Sequence, residues 1–156
     1  CDVGAVDIAW ATHALYAVPP AELPLAMERF LHAIGDHGIG VIAHASELGH
    51  YIRFHREFLL SFDDDTEQLY SSAEQLRSAL ETHGASIETR RLTYTNGAPE
   101  TDRAAIEGFL QRCAFDDRFS LDQMRATQPL GAYLESCLEE GQWRFPQVVD
   151  LMIVTC

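Results

Sequence analysis

Two short apolar runs with one amphipathic helix between them constrain the fold of this chain more than any other feature. Residues 5–13 (AVDIAWATH) and 39–44 (IGVIAH) are almost continuous in apolar and small residues, a pattern typical of strands that a parallel sheet buries on both faces. Pro19 and Pro20 favour a helix start, apolar residues then recur at helical spacing, and Gly35 ends the helix. The sequence therefore predicts a right-handed βαβ unit in which strands 6–13 and 39–44 are parallel and adjacent.

The rest of the chain continues the alternation of helices and strands. We expect a helix over 47–60, a second one from the capping box Ser72–Gln75 to Gly84, and a strand over 86–95 that an Asn96-Gly97 turn closes. Helices over 101–114 and 120–140, the second interrupted near Pro129, precede a final buried strand over 147–154. This order predicts an α/β protein whose mostly parallel sheet has an antiparallel edge strand and helices on both faces.

Composition and charge exclude several classes of function. The 156 residues are 47% hydrophobic and 22% charged, as in one globular domain, and no apolar run approaches the ~20 residues of a membrane span. The net charge of −13 argues against binding to nucleic acid or to an anionic membrane, and it permits a cationic substrate. Cys113 and Cys137 lie among apolar helix positions, so we expect buried, reduced thiols in a cytoplasmic protein. A Cys1–Cys156 bridge stays open.

Motifs for metal, dinucleotide or hydrolase chemistry are missing from the sequence. His50 and His55 are five residues apart, which places them on different helix faces, and no paired Cys/His spacing occurs, so no metal site is expected. The run Asp63–Asp65 is best interpreted as a solvated loop. Neither a GxGxxG, a P-loop nor a GxSxG motif is present.

The stretch 6–18 (VDIAWATHALYAV) resembles the fourth strand and following turn of class I, Rossmann-like S-adenosylmethionine-dependent methyltransferases. Within that family the chain is most similar to the histamine N-methyltransferase-like enzymes, through segments that recur in the same order along the whole chain: 84–87, 108–115, 131–134, 140–141 and Phe145. In this family the glycine-rich loop and the ribose-binding acidic residue precede the fourth strand. The resemblance therefore implies that residues 1–156 are the C-terminal portion of one methyltransferase domain, and that the N-terminal cofactor-binding half lies outside them.

The resemblance also implies where a site lies. It places a cofactor contact at Ala11 and Thr12, and substrate contacts at His13 and Tyr16. His13 stands where the histamine enzymes have an amide, and Ala17 replaces a second pocket tyrosine. Since a histidine at a strand end is equally often a capping residue, and Tyr16 can be ordinary core, both structural interpretations stay open.

Three more substrate-binding residues follow from the same resemblance. His50 and Phe54 occupy positions of two family tryptophans, one helical turn apart, and Gln147 matches a family asparagine that binds substrate. For Phe54 alone, core packing is the stronger interpretation. The five residues are expected to converge on one cavity at the carboxyl edge of the sheet. No residue is assigned a catalytic role.

These observations predict S-adenosylmethionine-dependent methyl transfer to a small molecule, preferably at nitrogen. The alternative is a catalytically inactive methyltransferase-like domain that serves as a structural or partner-binding module; a different enzyme on a similar sheet has fold analogy as its only support. In either case we expect the N-terminal half or another chain to cover the open edge of the sheet.

Overall fold

A computed structural model describes residues 6–62 and 70–156 of the chain. Cys1 and the Asp63–Asp65 run therefore lie outside the described residues. The chain divides into two compact units. We call Cys1–Glu47, Tyr70–Leu92 and Val148–Cys156 the sheet unit, and Leu48–Leu69 with Thr93–Gln147 the helical unit.

The elements alternate as the sequence predicts, with differences at their ends. The strands are β1 (Ile8–Thr12), β2 (Ile39–Ala45), β3 (Ser86–Pro99), β4 (Leu138–Glu139) and β5 (Gln142–Thr155). The helices are α1 (Leu23–Ile34), which a short 3-10 helix (Pro20–Glu22) precedes, α2 (His50–Phe62), α3 (Ala73–Thr82), α4 (Arg103–Ala114), α5 (Leu121–Ala126) and α6 (Leu130–Ser136). No helix in 6–62 or 70–156 is long and apolar enough to cross a membrane.

The predicted βαβ unit is confirmed. β1 and β2 are parallel neighbours, with Ile8 opposite Ile39 and Thr12 opposite Ala43. Gly35 ends α1 with a φ of 57°, a conformation that glycine adopts without a steric cost. The α/β class with a mixed sheet is also confirmed, but the reversed strand is not at the edge. The strand order is β1-β2-β5-β3, so β5, which runs antiparallel to β2, lies inside the sheet.

The expectation that the first strand is buried on both faces is wrong for β1. Ile8 is 63% exposed and Trp10 is 69% exposed. Side chains on a strand alternate between its two faces, so Ile8, Trp10 and Thr12 share the uncovered face while Ala9 and Ala11 pack on the core. Among the described residues, β2 is the only strand that pairs with β1.

Three other boundaries differ from the sequence prediction. Asn96 and Gly97 lie within β3 instead of forming a turn. The backbone of Gly97 passes so close to Trp143 that a Cβ would be 2.3 Å from the Trp143 carbonyl oxygen, so a glycine fits there and a larger residue does not. The predicted helix 120–140 is two short helices followed by β4; Pro129, which lacks an N–H, separates α5 from α6. The last strand begins at Gln142, five residues before the predicted start.

Each unit has its own apolar core. In the sheet unit, α1 and α3 pack with β2 and β5 through a cluster that includes Met27, Ile42, Leu76 and Met152. The capping box predicted at Ser72–Gln75 is present at the start of α3. In the helical unit the core is rich in aromatic rings, and it contains Cys113 and Cys137 as free, buried thiols, as the sequence predicts. Burial raises the pKa of Cys113 to about 12.

A buried carboxylate ties two strands of the sheet unit together. Asp150 on β5 is 1% exposed and accepts two hydrogen bonds from Arg91 on β3, at 2.7 and 2.9 Å. The same guanidinium lies 3.3 Å from Glu74 at the start of α3. Because a buried carboxylate needs both a counter-charge and hydrogen-bond donors, Arg91 stabilises this part of the sheet.

We expect Arg91→Met to lower the free energy of unfolding by about 3 kcal/mol. This value is at the lower end of the cost of breaking a buried ion pair, because the Arg91 side chain is itself half exposed. The neighbouring Arg90→Met is the matched control. Arg90 pairs with Glu88 at the surface, where both side chains are more than half exposed, and its removal should cost less than about 1 kcal/mol. Urea denaturation of both variants is the measurement, and equal losses would contradict the assignment.

Candidate functional site

The chain turns sharply where β1 ends. His13, the residue after β1, has a φ of 49°, in the left-handed region that side chains other than glycine rarely adopt. Its backbone N–H still donates to the Ala43 carbonyl of β2, at 2.9 Å. The parallel pairing therefore extends one residue beyond β1 and holds the turn at the carboxyl edge of the sheet, the edge where open α/β sheets bind their ligands.

His13 and Tyr16 form a hydrogen-bonded pair across this turn. Nδ1 of His13 lies 2.6 Å from the Tyr16 hydroxyl, which also accepts from the N–H of Ala45, at 3.2 Å. In the tautomer of neutral His13 that carries its proton on Nε2, Nδ1 accepts a hydrogen bond from the Tyr16 hydroxyl. Tyr16 is buried and His13 is exposed, so the pair presents the imidazole edge to solvent. Burial on its inner side lowers the pKa of His13.

A second, fully buried layer lies beneath the pair. The ring of Tyr16 is 4.1 Å from that of His44, whose Nε2–H donates to the Ser71 carbonyl at 2.8 Å. Ser71 in turn donates from its hydroxyl to the Leu15 carbonyl at 3.0 Å. Ser71 thus links the turn after β1 to the end of β2. Burial lowers the pKa of His44 to about 4, so this histidine is neutral at pH 7.

The Glu74 carboxylate lies beside the residues that follow β2. The Glu74 carboxylate accepts from the Ser46 hydroxyl at 2.5 Å and from the Glu47 N–H at 3.0 Å. Burial raises the pKa of Glu74, but these hydrogen bonds favour the ionised form more strongly and lower it overall. Glu74 is therefore ionised, and the Arg91 guanidinium, 3.3 Å away, provides its counter-charge.

His50 and Phe54, in the helical unit, lie in an aromatic cluster. His50 is 0% exposed, and its ring is 4.4 Å from Phe145 and 5.3 Å from Phe54. Nδ1 is 2.8 Å from the Tyr133 hydroxyl, while Nε2 has no hydrogen-bond partner in the part of the chain that the structure describes. Burial, aided by the positive charge of Arg53, lowers the pKa of His50 to about 3. The ring is thus a neutral, planar group at pH 7.

The other three predicted site residues are placed individually. Gln147 is 6% exposed, on β5, and its amide donates to the Phe145 carbonyl at 3.4 Å. Thr12 is exposed, and its hydroxyl accepts from Nε1 of Trp10; Ala11 packs on the core of the sheet unit. The structure brings His13 together with Tyr16 in the sheet unit, and His50 together with Phe54 in the helical unit. The convergence of both groups and Gln147 on one cavity stays a prediction.

Several residues of these two sites were not predicted from the sequence. His44 and Ser71 support the turn from beneath, and Tyr133 is the partner of His50. His44 could have been predicted from the sequence, because it ends a buried apolar strand and a buried imidazole needs a hydrogen-bond partner. No sequence pattern near Ser71 or Tyr133 indicates their role, because their hydrogen-bond partners are 27 and 83 residues away in the sequence. Within 6–62 and 70–156, no cluster of three or more His, Cys, Asp or Glu side chains can hold a metal ion.

Comparison with known proteins gives structural neighbours only. No protein-family model matches the chain, and no curated protein matches it. The fold is similar to that of a candidate methyltransferase from Bacillus halodurans (12% identity, TM-score 0.55), covering 97% of this chain and 64% of that one. It is also similar to the YcgJ protein from Bacillus subtilis (10%, TM-score 0.59, 97% and 64%) and to a cyclopropane-fatty-acyl-phospholipid synthase-like protein from Lactobacillus casei (12%, TM-score 0.54, 97% and 57%). The chain thus spans less than two thirds of the length of these proteins. At 10–12% sequence identity, the structural similarity establishes the fold alone.

The left-handed backbone at His13 predicts an order of tolerance among substitutions. We expect His13→Ala to unfold about 1 kcal/mol more easily than His13→Gly, because glycine adopts this region without a steric cost and alanine does not. Neither side chain can make the hydrogen bond to Tyr16, so the difference between the two variants isolates the backbone conformation. Urea denaturation measures it, and equal stabilities would show that the turn does not hold this φ in solution.

The buried histidines predict a loss of stability in acid. His44 and His50 have pKa values of about 4 and about 3 in the folded chain, below the ordinary value of 6.5. Between pH 6.5 and 4 the unfolded chain therefore binds more protons, and each histidine lowers the free energy of unfolding by about 1.4 kcal/mol per unit of falling pH. His50→Phe should flatten this slope by about that amount in denaturant titrations. Parallel curves for the parent chain and the variant would refute the buried, neutral state of His50.

Proposed function

We propose that the protein containing this chain transfers a methyl group from S-adenosylmethionine to a small molecule, preferably at nitrogen. The observation that carries the proposal is the fold shared over 97% of the chain with the candidate methyltransferase from Bacillus halodurans. The local geometry supports it, because a strained turn with an exposed imidazole lies at the sheet edge where ligands bind. The two buried, reduced cysteines also favour a cytoplasmic protein.

The residues at the end of β1 can form a small part of a cofactor-binding site. Thr12 is exposed and retains a hydroxyl proton to donate, since its oxygen accepts from Trp10, whereas Ala11, whose side chain packs on the core, can contribute only backbone groups. When bound, S-adenosylmethionine would supply an electrophilic methyl group on a sulfonium. The remaining cofactor contacts belong, in this proposal, to residues outside the chain.

The chain's own contribution is to position the acceptor. In an in-line displacement the acceptor nitrogen forms a bond to the methyl carbon as the carbon–sulfur bond breaks, and a neutral amine needs no base to begin. In the tautomer whose Nδ1 accepts from the Tyr16 hydroxyl, His13 presents Nε2–H as a donor. This arrangement favours a positioning role for His13 over a role as general base.

The proposal also includes a partner for the exposed face of β1. Ile8 and Trp10 are large apolar residues that the described residues leave more than half exposed, next to an unpaired strand edge. Apolar surface and unpaired backbone groups of this kind need cover. We propose that the N-terminal half of the same protein, or another chain, provides it.

Calorimetric titration with S-adenosylmethionine tests the cofactor assignment. We expect saturable binding to the complete protein, and weak or undetectable binding to residues 1–156 alone, because the chain contains no motif for the ribose or the glycine-rich loop. The complete protein and residues 1–156 are titrated in the same buffer. Tight binding by residues 1–156 would show that the cofactor site is misplaced, and no binding by the complete protein would favour the inactive module.

A pair of His13 variants separates positioning from base catalysis. In the complete protein, formation of S-adenosylhomocysteine is followed with a panel of small aryl and imidazole amines. If His13 donates one hydrogen bond, His13→Ala should lower kcat/KM about 2- to 13-fold, the equivalent of about 0.5–1.5 kcal/mol. His13→Gln, whose side-chain amide N–H reaches the position of Nε2, should recover most of this loss. A base would cost about 10²–10⁴-fold, with no rescue by glutamine. Cofactor affinity should hardly change in either variant.

A further inference from the structure

A cavity in the helical unit lies between β3, α4 and the start of β5. Its volume is about 340 Å³, and it is lined by residues 96–98, Ala105, Ile106, Phe109 and Phe145. This volume is at the small end of the range for ligand pockets in proteins. The cavity exists because small residues face it: Ala98 and Ala105 leave space, and Gly97 has none for a side chain beside Trp143.

Two phenylalanine rings form the apolar wall. The rings of Phe109 and Phe145 are stacked at 5.2 Å with an interplanar angle of 27°. Phe145 is buried, whereas Phe109 is half-buried and keeps part of its ring surface available. The neutral ring of His50 lies behind both of them, 4.4 Å from Phe145 and 5.6 Å from Phe109. A planar ring that enters the cavity would thus extend an existing aromatic stack, an arrangement that aromatic pairs favour.

One polar side chain supplies specificity. Asn96 lines the cavity, and its side-chain amide has no hydrogen-bond partner among residues 6–62 and 70–156. It offers a donor and an acceptor side by side, which match a ligand with an acceptor and a donor in the same arrangement. None of the lining side chains carries a charge, so nothing in the cavity compensates an ionised ligand.

We propose that this cavity binds uncharged aromatic compounds that carry a neighbouring donor and acceptor, of which an aromatic carboxamide is the simplest. The ring stacks on Phe109 and the carboxamide pairs with Asn96. The site goes beyond the proposed methyl transfer, because binding here requires neither the cofactor nor the turn at His13. The two proposals therefore succeed or fail separately.

The test uses benzamide as the probe and the chain of 156 residues. We expect saturable NMR shifts at the Gly97 amide and the Phe109 ring, with a Kd on the order of 1 mM, as befits a ligand of this size. Cyclohexanecarboxamide, which keeps the amide and lacks the aromatic ring, is the matched control and should bind at least about 3-fold more weakly.

Two variants locate the binding. Ala105→Phe fills the cavity from an exposed helix position without disturbing the core, and should abolish the shifts. Asn96→Leu, similar in volume, should weaken benzamide about 3- to 10-fold and leave the NMR spectrum of the remaining chain unchanged. The proposal is overturned if benzamide produces no saturable shifts, if Ala105→Phe binds it like the parent chain, or if both carboxamides bind equally well.

Discussion

Three buried polar side chains at the carboxyl end of β2 and on its neighbour β5 determine how the sheet unit is arranged. His44, Ser46 and Asp150 are each 1% exposed or less, and each must find a partner because water cannot reach it. His44 donates to Ser71, Ser46 to Glu74, and Asp150 accepts from Arg91. These contacts fix α3 and β3 against the sheet where the turn after β1 lies. The geometry of His13 and Tyr16 follows from them, through the Ala45 N–H and the link from Ser71 to Leu15.

The parts of the fold that are encoded locally could be predicted from the sequence. The βαβ unit has apolar runs, a proline start and a glycine stop, and the capping box at Ser72–Gln75 announces α3. The exposure of β1 could not be predicted, since an apolar run has the same pattern whether or not its outer neighbours are present. The place of β5 inside the sheet also escapes local analysis, because strand order depends on pairing between distant residues.

The candidate site also contains residues that could be predicted from the sequence and residues that could not. His13 and Tyr16 were predicted through a family resemblance and lie together, three residues apart in sequence. Their support comes from Ser71, and the partner of Asp150 is 59 residues away, so no spacing in the sequence marks either contact. In the helical unit, the resemblance pointed to His50 and Phe54, but the rings around them come from three separate segments: Phe109, Tyr133 and Phe145.

The proposed function requires the carboxyl end of β1 to contact S-adenosylmethionine. The most direct measurement is a crystal structure of the complete protein with S-adenosylhomocysteine. The account predicts that the ligand lies against Ala11 and Thr12, with its sulfur on the side of the turn that exposes Nε2 of His13. A ligand bound away from the end of β1, or a complete protein that takes up none at saturating concentration, would contradict it.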